Sequence, residues 1–291
     1  MKNVLKIINK AMRQNKYEIA LIALVIIAAF LRIYKQEEYI DFFGDVGRDM
    51  IIAKHVAEDM EWTETRPYAA TTPYLNNSMF YFNFLGVLWF LFPSILSINM
   101  FHTIISLSAI ILGYLIGKEL VDKNVGIVIA AYFTFSFYFI SIARFIWQPN
   151  LIPYFFLAGL YFFIKSFYDQ KLQYIYISIL LFFICLNIHY STLLVIPAIS
   201  IWILKRHSEI VNKNKENRVV NWLIFSTYLY LLFIIWIKLV DLKIKSIIQI
   251  LLNSQSTLSL KEFIYHGIET MVLFSKFLYG NHNYSLLLYL I

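Results

Sequence analysis

The stretch DFFGDVGRD, residues 41–49, gathers Asp41, Asp45, Arg48 and Asp49 in a polar segment that follows the first long apolar run of the chain. Carboxylates beside a guanidinium can take a proton from a hydroxyl, grip a phosphate or hold a divalent ion. Ionisable groups are costly near a bilayer interior and are kept there mainly for use. From Val46 to Met60 the apolar residues Val46, Met50, Ile51, Ala53 and Val56 predict a short amphipathic helix beginning at Asp45. On that helix Asp45, Arg48 and Asp49 share a face at i, i+3 and i+4, and Lys54 follows farther along.

The elements that carry this segment are apolar. Of the 291 residues, 60% are hydrophobic, 18% aromatic and only 15% charged, which predicts an all-α, polytopic membrane protein of a single domain over 1–291. The formal charge of +7 falls in short clusters between apolar runs rather than along one face, so the cations read as topology signals and nucleic acid is excluded as a partner. Cys185, the single cysteine, lies inside an apolar run and has no partner within the chain for a disulfide or a thiolate metal site.

Lys2, Lys6, Lys10, Arg13 and Lys16 precede the apolar stretch 17–34, which lacks a small-residue cleavage site and is followed by further spans. It is expected to be a retained anchor with a cytoplasmic N-terminus. Further apolar stretches occur near 79–95, 97–117, 125–143, 151–167, 173–188, 190–204, 221–239 and 283–291. If 79–95 crossed the membrane, the basic residues between 118 and 218 would face outward, against the positive-inside rule. That aromatic stretch is therefore expected to lie along the outer interface. The outward segments become 35–96, 142–150, the turn near His189 and 240–282. The last run, YSLLLYLI, has no closing polar flank and reads as an incomplete span.

Four stretches together resemble a known family: GDVGRDMIIAKHV at 44–56, NNSMFYFNFLGVLWFLFP at 76–93, LIGKELVDKNVGIVIAAYFTFSFYFISIARFIWQPNLIPYFF at 115–156, and NIHYSTLLVIPAISIWILKR at 187–206. Their order and spacing resemble the GT-C membrane glycosyltransferases, the group that includes the protein O-mannosyltransferases and the lipid A aminoarabinose transferases. The likeness covers the N-terminal half of a typical member. It implies a GT-C-like bundle with interfacial helices in the first outer loop. It also implies transfer of a sugar from a polyprenyl-phosphate donor to a glycan, lipid or protein acceptor on the outer face. Asp45 matches the family's catalytic carboxylate, with Asp49 as a second acidic group. Members often carry another acid in the second outer loop after an arginine; here ARFIWQPN puts Arg144 at the arginine and Asn150 at the acidic position. Asn cannot serve as a base or bind a divalent ion strongly, but it can orient an acceptor hydroxyl.

Such a transfer needs a base for the acceptor hydroxyl and cations for the departing phosphate. Asp45 is the candidate base. Arg48 and Arg144 offer planar forks for phosphate oxygens, Lys54 a point charge, and His189 a polar group at the acceptor cavity. Metal dependence stays open, because outer-loop carboxylates fit either a divalent ion or an arginine-based mechanism. Simpler roles also exist. Asp45 can cap its helix, Arg48 and Asp49 can pair on a surface, Arg144 can reach lipid headgroups, and His189 can bond within its turn. A transporter or lipid flippase and a non-catalytic remnant are the competing functions. No internal repeat and no paired Gly/Pro-broken helices favour the transporter.

Overall fold

The computed structural model describes residues 15–40, 44–63, 68–69, 72–76, 78–189, 191–192, 195–213 and 217–240. The N-terminal cations other than Lys16, Asp41, and the expected outer stretch and apolar run beyond 240 lie outside those residues. In chain order the helices are α1 (Lys16–Ile33), α2 (Gly44–Asp59), α3 (Met79–Leu91), α4 (Ile95–Leu120), α5 (Lys123–Phe135), α6 (Phe137–Ala143), α7 (Gln148–Asp169), α8 (Leu172–Ile188), α9 (Ile196–Lys213) and α10 (Arg218–Val240). A 3-10 turn covers Gln36–Tyr39. Among the described residues the fold departs from purely helical at one point, an antiparallel hairpin of β1 (Tyr68–Ala69) and β2 (Thr72–Asn76) with Tyr68 opposite Asn76.

Three of these helices, α4, α7 and the Arg218–Ile235 part of α10, are long and apolar enough to cross a membrane; α5 and α6, bent by 58°, make a fourth if they form one broken span. By contrast α3 has 13 residues, roughly 20 Å, against about 30 Å of hydrocarbon. Helix α1 occupies the predicted first span but carries Lys16, Glu18 and Arg32, so it is not among the apolar spans. The run at 190–204 does not make a helix of its own. Helix α9 starts within it, with Pro197 in the first turn where a missing N–H costs little, and continues through Lys205, Arg206, His207 and Glu209. The result is an amphipathic helix with Ile199, Ile203, Ile210 and Val211 buried.

Two apolar clusters hold the bundle. The larger joins α1–α5, α7 and the end of α8 through residues such as Ala28, Met50, Phe82, Ile98, Ile110, Leu151 and Ile188; the smaller joins the rest of α8 with α9 and α10 through Ile179, Phe182, Ile203 and Phe225. Helices α4 and α5 meet backbone to backbone: a Cβ on Gly117 would stand 2.8 Å from the Cα of Gly126, so only glycine permits this approach.

The break between α5 and α6 has neither proline nor glycine. Its cause is a buried guanidinium. Arg32, 1% exposed, donates to the carbonyls of Phe133 at 2.7 Å and Thr134 at 3.4 Å, which would otherwise serve the next helical turn. Arg144, just past α6, in turn donates to the carbonyls of Arg32 and Tyr34 at the end of α1. Three more polar side chains fasten the α6–α7 connection. Thr103 donates to the Ala143 carbonyl at 2.8 Å, Gln36 donates to the Thr103 hydroxyl at 2.7 Å, and the Asn99 amide donates to the Arg144 carbonyl. The start of α7 is thereby set against α2.

Candidate functional site

Helix α2 buries Val46, Asp49, Met50, Ala53 and Val56 against α3. These positions follow i, i+3, i+4, i+7 and i+10, so Asp49 stands within the apolar stripe rather than on the polar face. Ile51, expected on the apolar side, is 61% exposed. The helix begins at Gly44, which places Asp45 in the first turn instead of at the start. Its carboxylate is still well placed there, because the first turn exposes unpaired N–H groups and the positive end of the helix dipole.

Close packing of α2 on α3 depends on Gly86, where a Cβ would meet the Val56 side chain at 2.3 Å. The segment after α2 is tied back to α3 by the Asn83 side chain, which accepts from the Thr63 N–H at 2.8 Å. Ser78 caps α3 by accepting from the Phe80 N–H and donates to the Asn187 side-chain oxygen at 3.1 Å, which anchors α3 to the end of α8.

Arg48 bridges the two carboxylates. Its Nη1 donates to Asp45 at 2.9 Å, and its Nε and Nη2 both donate to one oxygen of Asp49 at 2.9 and 2.7 Å. The environments of the two acids differ sharply: the Asp45 side chain is 51% exposed and that of Asp49 2%. Burial pushes the Asp49 carboxyl up to about 6, although Arg48 and, more weakly, Gln148 pull it down. The other Asp49 oxygen faces Gln148, whose Nε2 donates at 3.4 Å from the start of α7. Tyr81 of α3 is buried beside them, within the electrostatic field of Asp49 and Arg48.

His189 lies at the end of α8 in the field of Asp45. Burial lowers its pKa, with Asp45 acting in the opposite sense. Its Nδ1 accepts from the Ser191 N–H at 3.2 Å, which assigns the neutral ring's proton to Nε2. The structure thus brings together Asp45, Arg48, Asp49 and His189 from the expected set, and adds Gln148 and Tyr81.

The other expected residues have different surroundings. Lys54 is nine positions beyond Asp45, roughly 13 Å along the axis, and pairs with Glu58 at 3.7 Å. Arg144 directs donors to main-chain carbonyls of α1. The Asn150 side chain is 5% exposed and donates to the Phe145 carbonyl at 3.2 Å, bracing the loop that precedes it. No group of three or more His, Cys, Asp or Glu among the described residues could hold a metal ion. Among the described residues, Asp45 and Asp49 each turn an oxygen to Arg48, which leaves few carboxylate oxygens for a divalent cation.

A signal for Asp49 was present in the sequence, as one carboxylate at a buried-stripe spacing. Gln148 carried no such signal, because a glutamine beside Pro149 looks like any polar loop residue. No protein-family model matches the sequence, and no curated protein or solved structure matches it.

Proposed function

We propose that the chain is an integral membrane glycosyltransferase that moves a sugar from a polyprenyl-phosphate carrier to a hydroxyl of a lipid, glycan or protein acceptor on the outer face. One observation carries the reading: an exposed carboxylate, Asp45, is joined through Arg48 to a buried carboxylate, Asp49, on a helix that meets the start of membrane-length α7 through Gln148. Lys2, Lys6, Lys10 and Arg13 before α1 and Lys16 at its start favour a cytoplasmic N-terminus, and with α1 as the first crossing α2 and α3 lie outside.

Exposure divides the roles. Asp45 can meet an acceptor and take its proton as the acceptor oxygen bonds to the anomeric carbon. The carbon–oxygen bond to the carrier breaks in the same displacement, its electron pair leaving on the phosphate, so the sugar inverts. Arg48 is partly exposed and already oriented, and it offsets the growing charge on that phosphate. Asp49 is too deeply buried to meet an acceptor and serves Arg48 instead.

The test is sugar transfer from labelled polyprenyl-phosphate sugars by membranes containing the chain or Asp45→Asn. Loss of a base predicts roughly 100-fold to 10,000-fold slower transfer. Equal transfer by both removes Asp45 from the reaction, and no transfer by the unaltered chain with any carrier sugar overturns the transferase reading.

A further inference from the structure

The Asp49 carboxylate has two faces. One oxygen receives two donors from Arg48, and the other faces Gln148 of α7, with Gln148 3% exposed and Asp49 1% exposed. A carboxylate held only by Arg48 could rotate with it. One that is also held from a second element cannot, so the guanidinium inherits a fixed orientation. The α6–α7 connection is itself fastened by Thr103 and Asn99 of α4, which makes Gln148 a rigid reference point. Nothing else reaches Asp49 from that side of the site among the hydrogen bonds of the described residues.

We propose that Gln148 is a positioning residue that holds Asp49, and through it Arg48, in the orientation that receives the phosphate of a polyprenyl-phosphate donor. The inference rests on the transferase reading above. It extends the site from the α2 segment to the α6–α7 connection and gives a neutral amide the place where a second acid was expected nearby.

Two measurements on the intact 291-residue chain test it. The first needs no substrate: an isotope-edited infrared titration of the Asp49 carboxyl, assigned with Asp49→Asn, in the unaltered chain, Gln148→Met and Gln148→Glu. Removing the donor in Gln148→Met should raise the Asp49 midpoint, and the second carboxylate in Gln148→Glu should raise it further. An unchanged midpoint in both overturns the proposal. The second is binding of polyprenyl monophosphate in lipid nanodiscs. Gln148→Met and Arg48→Ala should each weaken binding by about tenfold, and the double variant should be no weaker than Arg48→Ala alone. Losses that simply add overturn the positioning role. If the unaltered chain does not bind the phosphate, the donor reading fails, while the titration still decides whether Gln148 holds Asp49.

Discussion

Arg144 donates from Nε to the carbonyl oxygen of Arg32 at 3.3 Å, while Arg32 itself closes the end of α5. Each arginine finishes a helix other than its own. Main-chain carbonyls, not carboxylates, receive these donors, so the charge is stabilised by helix C-terminal dipoles and by hydrogen bonds. The pair fixes where α1 ends, where α5 breaks and where the connection to Gln148 starts.

Replacing Arg32 by methionine leaves the Phe133 and Thr134 carbonyls buried without their donors. The expected cost is about 2–3 kcal/mol, read as lowered thermal stability in detergent. Arg144→Met should cost less, because Arg144 is only partly buried. An equal or smaller loss for Arg32→Met would contradict its role at the break.

Gly86→Ala should force α2 away from α3, since the new Cβ meets Val56 at 2.3 Å. Overpacking of this kind costs roughly 1–3 kcal/mol. Adding Val56→Ala should restore part of the stability by removing the closest methyl. A double variant as unstable as Gly86→Ala would show that the remaining approach to the Val56 Cβ, at 2.6 Å, sets the whole cost.

The buried Asp49 carboxyl gives stability a definite pH dependence. Its folded-state pKa is raised from 3.8 to about 6, so its contribution is most favourable below pH 4 and declines as pH rises through 6. Asp49→Asn resembles the protonated form at every pH. It should therefore be more stable than the unaltered chain at pH 7–8, by an amount on the order of 1–3 kcal/mol, and the difference should fade towards pH 4. Denaturation scans across that range check the sign. Transfer activity should fall in the same variant as Arg48 loses its anchor.

Arg48→Lys keeps the positive charge but loses the fork that reaches Asp45 and both donors to Asp49. Donor affinity should drop about tenfold, a larger effect than charge alone predicts. Unchanged affinity would mean that a point charge suffices.

Cysteine labelling can settle sidedness on a quiet background, because Cys185 is 1% exposed. Probes at Asn76→Cys and Asn124→Cys should be modified from opposite faces of the membrane. Labelling of both from one face would overturn the assigned orientation.

Helix α2 was legible in the sequence almost to its ends, because Val46, Met50, Ala53 and Val56 repeat at the helical period and bury one face. The same period marks Asp49 as buried, an inference available from spacing but obscured by grouping Asp49 with its charged neighbours. The break at Ser136 was not legible, since it depends on Arg32, about a hundred positions away, and no local residue announces it. Gln148 escaped for the same reason: its partner lies on another element. The run at 190–204 does not stand as a separate apolar helix, because α9 begins within it and continues through Lys205, Arg206 and Glu209, which hydropathy alone does not reveal.

The division of the apolar interior into two clusters carries a consequence for opening motions. Asp45, Arg48, Asp49 and Gln148 all belong to elements of the larger cluster, whereas the buried apolar residues Ile199, Ile203, Ile210 and Phe225 of α9 and α10 belong to the smaller one. Amide exchange should then separate into two cooperative units, with α9 and α10 exchanging through a subglobal opening that leaves α2 and the first turn of α7 protected. In such a molecule, access along the α8–α10 side can change while the Asp45–Arg48–Asp49 geometry stays fixed.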